Sequence, residues 1–257
     1  MTLVLNPRYE RLRNFLQQVP MTFAEAGQVL YDGRNQIRRF ETEECRMAVK
    51  RYKRHNWLKR VVYTFFRTNK ARRSYENARR LGERGFATPR EVAYMEERRM
   101  GLLRQVYYVC EYTGAEPIRP RLIEQEPFDR LLATAYAHFV ARLHEAGVLH
   151  RDLNPTNVLF TEHDGSYTFE LIDINRMRFY DGPVPKAECM ENLTLFYWLT
   201  PAYRFILNEY AAARGWTETD IAEAIRVKER HDRRWVRRKQ ITHLGKYEVS
   251  HRDRNGQ

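Results

Sequence analysis

The sequence predicts an α+β protein in two parts: an antiparallel five-stranded sheet carrying one main helix, then a mostly helical half. Three observations carry this reading. Short runs with strand-like alternation recur between Gly27 and Cys110, an Asp-Gly dipeptide separates the first two, and from Thr113 onward the apolar spacing becomes helical.

The elements follow in chain order. Asn6 as cap and Pro7 at the first helical position open a short helix to about Val19. Gly27–Tyr31 and Gln36–Glu41 read as strands joined by a hairpin turn at Asp32-Gly33, and Arg46–Tyr52 as a third. Trp57–Gly82 reads as one helix, basic outside and aromatic inside, broken by Gly85 and Pro89. Glu91–Glu97 and Leu102–Cys110 complete the five strands, the last placing Val106, Tyr108 and Cys110 on one face. In the second half, Pro127–Gly147 is amphipathic and ends at a glycine. Val158–Phe160 and Phe169–Ile172 flank an Asp164-Gly165 turn, and Glu188–Tyr210 reads as buried helix interrupted near Pro201. A last helix starts at Thr217, with Asp220 completing a capping box, and carries the basic run Lys228–Lys239; Arg252–Gln257 is expected to fray. The two parts are expected to span residues 1–112 and 113–257, with Glu111-Tyr112-Thr113 as the hinge.

Composition narrows the function classes. With 257 residues, 43% hydrophobic and 13% aromatic, the chain can build a sizeable core, which excludes general disorder. Cys45, Cys110 and Cys189 are scattered and form no C-x-x-C pair, which argues against a disulfide framework or a structural zinc site. No run approaches the roughly 20 apolar residues of a spanning helix, and charges near the start leave no secretory signal, so a soluble intracellular protein is expected. A net charge of +12 points to a polyanionic partner: nucleic acid, anionic lipid or a phosphorylated substrate. No nucleic-acid recognition motif accompanies the charge, so nucleic acid is not expected.

The chemistry is concentrated in His150-Arg151-Asp152-Leu153-Asn154-Pro155-Thr156-Asn157, which resembles the H-R-D-L-x-x-x-N catalytic loop of kinases. A carboxylate at Asp152 can accept the proton of an attacking hydroxyl, and an amide at Asn157, where the loop enters the next strand, can reach a magnesium ion. Asp173 ends the apolar run Leu171-Ile172, in the place of a carboxylate that holds Mg²⁺ across nucleotide phosphates. Met47-Ala48-Val49-Lys50 resembles the V-A-I-K of the third strand of kinases, which implies that Lys50 contacts the α- and β-phosphates of ATP and that Ala48 lines the adenine pocket. Glu76 is the expected partner of Lys50, with Glu83 as runner-up. Gly33, Glu111, Tyr112 and Leu159 complete the expected ATP-binding set, in which backbone amides at Gly33 could cover the phosphates. Together these outline a two-lobed, protein-kinase-like fold.

Departures from the protein-kinase pattern point to a non-protein acceptor. There is no G-x-G-x-x-G in the first hairpin, Asn154 stands where serine/threonine kinases carry lysine, Ile174-Asn175 replaces Phe-Gly, and no A-P-E element follows. The pattern of Asp152, Leu153, Asn154 and Asn157, with Ile172-Asp173, Glu191-Asn192-Leu193 and the Tyr63–Arg67 segment, resembles the lipopolysaccharide core kinases, the Kdo and heptose kinase family. The resemblance runs from about Gly27 to Tyr210. It implies an ATP- and Mg²⁺-dependent kinase acting on a sugar hydroxyl of the lipopolysaccharide inner core. It also implies lipid A phosphates and an anionic inner-membrane surface as partners, at the cytoplasmic face in Gram-negative bacteria. The rivals are a protein or other small-molecule kinase of the same fold, and an idle binding module.

Overall fold

A computed structural model describes residues 1–53, 57–66 and 68–242. The expectations for Arg252–Gln257 and for Arg67 lie outside these residues. The chain divides into two compact units, each taken by itself below: Met1–Gly114 with Asp173–Arg176, and Ala115–Ile172 with the described residues from Met177 onward.

The first unit contains, in order, β1 (Thr2–Leu5), α1 (Arg13–Thr22), β2 (Gln28–Asp32), β3 (Gln36–Glu41), β4 (Arg46–Arg51), α2 (Trp57–Phe65), α3 (Lys70–Glu83), β5 (Glu91–Arg99) and β6 (Leu102–Glu111). Its sheet is antiparallel and six-stranded, in the order β1-β5-β6-β4-β3-β2. The sixth strand is Thr2–Leu5, too short to show alternation above background, which lies along β5 with Leu5 opposite Ala93. Asn6 then turns the chain: its side chain accepts from the Arg8 amide at 3.1 Å and donates to Glu91 Oε1 at 3.0 Å. β2 runs along the free edge of the sheet, and its register against β3 slips between Val29 and Tyr31.

Strand alternation gives the sheet two working faces. Met47 and Val49 of β4 and Tyr107 and Val109 of β6 point to one face, where Tyr9, Leu12, Leu16, Val19 and Phe23 cover them. Ala48 and Lys50 therefore belong to the opposite face, which packs Tyr52, Val106 and Tyr108 against Ala71 and Tyr75 of α3. The helix expected over Trp57–Gly82 is two helices. Asn69 ends the continuity because its side chain caps α3, accepting from the Arg72 amide at 3.0 Å, while its Nδ2 donates to Glu96 at 2.6 Å.

The second unit contains β7 (Glu116–Pro117), α4 (Arg130–Glu145), β8 (Val148–His150), β9 (Val158–His163), β10 (Ser166–Leu171), β11 (Met177–Phe179), α5 (Lys186–Leu193), α6 (Pro201–Ala213) and α7 (Glu218–Thr242). β9 and β10 form a hairpin whose turn residues, Asp164 (φ 48°) and Gly165 (φ 74°), both take the left-handed conformation that tight hairpins require. α6 is capped by Thr200, whose Oγ1 accepts from the Tyr203 amide at 3.2 Å, and the cap read from the sequence forms at α7, where Thr217 and Asp220 cap each other. The basic run on α7 is not all surface. Lys228 is 1% exposed, donates to Asp232 at 2.6 Å and to the Thr194 carbonyl at 3.2 Å, and lies 5.4 Å over the Tyr203 ring. Burial lowers its pKa, with Asp232 opposing.

Leu16, fully buried beneath the sheet, reports on whether α1 is part of the core. Leu16→Ala should cost about 2–5 kcal/mol of unfolding free energy in a urea titration. A loss under about 1 kcal/mol would mean that α1 does not help to close the sheet.

Candidate active site

In the second unit, β8 delivers the chain into the loop His150–Asn157, and a neutral histidine shapes that loop. The Asp152 amide donates to His150 Nδ1 at 3.1 Å, so the other ring nitrogen carries the proton and donates to the Ile172 carbonyl at 2.9 Å. Asp152 is half-buried, and Asn154 Nδ2 lies 3.3 Å from its Oδ1. Asn157 Nδ2 donates to the Asp152 carbonyl at 2.8 Å, which fixes the orientation of the amide. The Ile172 amide donates to the Asn157 carbonyl at 3.0 Å, tying the start of β9 to the residue before Asp173. Asp152, Asn154 and Asn157 are thus held in one short loop. Leu159, on β9, is buried opposite Glu170 and Pro117.

A buried chain of hydrogen bonds supports the loop from below. The Tyr210 hydroxyl lies 2.8 Å from His144 Nδ1, and His144 Nε2 lies 3.0 Å from Asn192 Oδ1. Asn192 Nδ2 donates to the His150 carbonyl at 2.9 Å. The Asn192 oxygen must accept, so His144 Nε2 carries a proton, and in the neutral ring that burial favours Nδ1 accepts from the Tyr210 hydroxyl. Burial pushes the His144 pKa down to about 4, against the pull of Asn192 and helped by Arg214.

In the first unit, Lys50 and Asp173 meet: Nζ lies 2.5 Å from Oδ1, with both side chains largely covered. Burial works against the Lys50 ammonium, but the Tyr52 oxygen and the Asp173 carboxylate outweigh it, and its pKa stands above the ordinary lysine value. Asn175 Nδ2 also donates to Asp173 Oδ1, at 2.7 Å. Asp173 has φ 54°, a left-handed conformation uncommon outside glycine, asparagine and aspartate and concentrated at functional sites. Ala48 lies two residues from Lys50 on the same face, opposite Arg39 and Cys110. Glu111 accepts from the Tyr9 hydroxyl at 2.5 Å, and the Tyr112 amide donates to the Arg46 carbonyl at 2.8 Å. Gly33 sits exposed at the tip of the β2–β3 hairpin, beside an open cleft lined by Arg34, Arg51, Tyr52 and Gln105.

Lys50 has a partner other than the one the sequence suggested. Glu76 is exposed and pairs with Arg72 at 2.7 Å, one turn earlier on α3, and Glu83 is also exposed. The reason is helical phase. Ala71, Ser74, Tyr75, Ala78 and Leu81 form the buried face, which turns position 76 outward. The residues that α3 does direct inward were not singled out from the sequence. Ser74 lies 2.9 Å from the Tyr52 hydroxyl, and Asn77 Nδ2 donates to the Ile174 carbonyl at 2.7 Å. Lys70 lies 5.8 Å over the same Tyr52 ring that Lys50 approaches at 5.2 Å. Burial, then Arg34, lower the Lys70 pKa, while Asp173 raises it. The 70, 74, 77, 81 spacing was the available signal.

Residues 24–227 match the family described as "Lipopolysaccharide kinase (Kdo/WaaP) family". The chain belongs to that family. A solved structure, "WaaP in complex with acyl carrier protein", superposes on this family member with a TM-score of 0.55 and 23% identity, covering 95% of each chain. At that identity the likeness shows the fold, which is protein-kinase-like. A 110-residue stretch is 26% identical to the mitogen-activated protein kinase HOG1 of Kluyveromyces lactis, covering 41% of this chain and 24% of the relative. It is 27% identical to mpkC of Aspergillus fumigatus, covering 41% and 28%. The chain spans about a quarter of the length of these curated relatives.

The buried His144 predicts a pH dependence. Its folded pKa lies below the ordinary 6.5, so the unfolded chain binds the proton first. The stabilisation is whole above about pH 6.5 and is lost as pH falls towards 4, by an amount on the order of 3 kcal/mol. Urea titrations between pH 7 and pH 4 should show a shallower decline for His144→Gln than for the natural protein. Parallel declines would remove His144 from that role.

Proposed function

We propose that this protein is an ATP-dependent kinase that phosphorylates a sugar hydroxyl, of Kdo or heptose, in the lipopolysaccharide inner core. The observation that carries the reading is the loop in which Asn157 is bonded to the Asp152 backbone and Asn154 meets the Asp152 carboxylate. Asp152 would orient the acceptor hydroxyl and take its proton as the new P–O bond forms. Lys50 would bind the α- and β-phosphates, and Lys70, which shares the Tyr52 ring with it, would add charge against the same phosphates. Ala48, Glu111, Tyr112 and Leu159 would border the adenine, and Gly33 would cover the phosphates. The oxygen donors Asn157 and Asp173 suit a hard cation, and Mg²⁺ held by them would neutralise phosphate charge.

The short stretch from Asp173 to α5, with no peptide-binding element legible in it, supports a saccharide acceptor. The excess positive charge suits phosphorylated lipid A and an anionic leaflet, so we place the protein at the cytoplasmic face of the inner membrane. No described helix is long and apolar enough to cross a membrane. Nucleic acid is not a proposed partner.

Asp152→Asn should keep ATP binding and lose nearly all phosphotransfer; transfer within a few-fold of the natural protein would remove Asp152 from the base role. Asp173→Asn keeps a residue tolerant of the left-handed backbone while removing the charge, and should weaken Mg²⁺-dependent ATP binding and turnover together. An undiminished magnesium effect in nucleotide titrations would exclude that ligand. The acceptor is tested with labelled ATP and either deacylated core oligosaccharide or generic protein substrates. Label on the saccharide is expected, and label on Ser, Thr or Tyr alone would favour the protein-kinase reading.

A further inference from the structure

α2 wears its amphipathicity inside out. At about 100° per residue, Trp57, Val61, Phe65, Val62 and Phe66 fall within roughly half the helix circumference. Phe66 continues the helical turn, its amide donating to the Val62 carbonyl at 2.9 Å. A surface helix ordinarily turns such a face to the core. Here the docked side is the other one. Tyr63 packs on the cluster around Tyr52 and Tyr94, and Thr64 Oγ1 accepts from the Leu103 amide at 2.9 Å. The apolar face is left outward, with Trp57 68%, Phe65 67% and Phe66 81% exposed. The sequence from Lys53 to Arg67 holds five Lys or Arg and no Asp or Glu.

We infer that α2 is the element that enters an anionic lipid surface, its aromatic face reaching the acyl boundary within a positively charged stretch of sequence. This rests on the membrane-side reading above and assigns it a site. Exposed aromatics combined with an excess of positive charge are what such an interface selects, since each signal alone gives weak, reversible attachment. The other basic segment lacks the combination. On α7, Trp235 packs edge-on against Trp198 at 4.9 Å and Lys228 is buried, so that helix spends its aromatic and one cation internally.

The test uses the full chain and vesicles of phosphatidylglycerol with phosphatidylcholine, or of phosphatidylcholine alone. The natural protein should sediment with the anionic vesicles and be released by salt. The triple variant Trp57→Ser, Phe65→Ser, Phe66→Ser should lose at least tenfold in partitioning, with unchanged thermal midpoint and unchanged phosphotransfer to soluble deacylated oligosaccharide. Brominated lipid should quench the natural protein's tryptophan fluorescence more than that of Trp57→Phe. A natural protein that binds neither vesicle sinks the membrane reading and this assignment with it. If the natural protein binds and the triple variant binds equally, the membrane reading stands and α2 is not its site. A triple variant that keeps vesicle binding but loses a co-purifying protein overturns the lipid assignment in favour of a protein partner.

Discussion

Much of the second unit's chemistry depends on the neutral ring of His150. One nitrogen receives the Asp152 amide and the other donates to the Ile172 carbonyl, so a single side chain spans two backbone segments that carry acidic residues. A doubly protonated ring could not accept from an amide, and a lost ring would leave the Ile172 carbonyl and the Asp152 amide without this shared partner. The Tyr210–His144–Asn192 chain extends that constraint downward by holding the His150 carbonyl. Loop geometry is thereby fixed by hydrogen bonds to the His150 ring and to the His150 carbonyl.

In the first unit the corresponding constraint is the burial of both sheet faces. The amino-terminal segment covers one face, so α3 can be used on the other to line the surroundings of Lys50. The same segment supplies Tyr9 to Glu111 at the end of β6, which couples a core-covering element to a residue proposed to border the adenine. Asp173 then sits between Lys50 and Asn175 in a backbone conformation that few residues accept at low cost.

The parts of this organisation legible in the sequence are those with a local signature. Five strands announced themselves through alternation, the Asp164-Gly165 turn through its two left-handed residues, and the capping box of α7 through its spacing. Asp152 and Asn157 could be placed in one loop because only five residues separate them. What stayed hidden was tertiary or lay in phase. β1 is four residues long and exists only by pairing with β5. The break between α2 and α3 contains no Gly or Pro, and its polar pair, Thr68-Asn69, was overlooked as a cap. Glu76 carries the right charge to partner Lys50, but the apolar phase of α3, already visible in the sequence, turns it outward. Lys228 read as surface charge because a run of cations carries no sign of which one is buried.

The slip of register in β2 bears on how the molecule avoids its own kind. β2 is an edge strand, and Val29, Leu30 and Tyr31 on it are all exposed, a combination that invites strand-by-strand addition of a second chain. The irregularity falls within those same three residues. An incoming strand that matched the ladder before Val29 would be out of step after Tyr31, so the edge offers no continuous template for polymerisation.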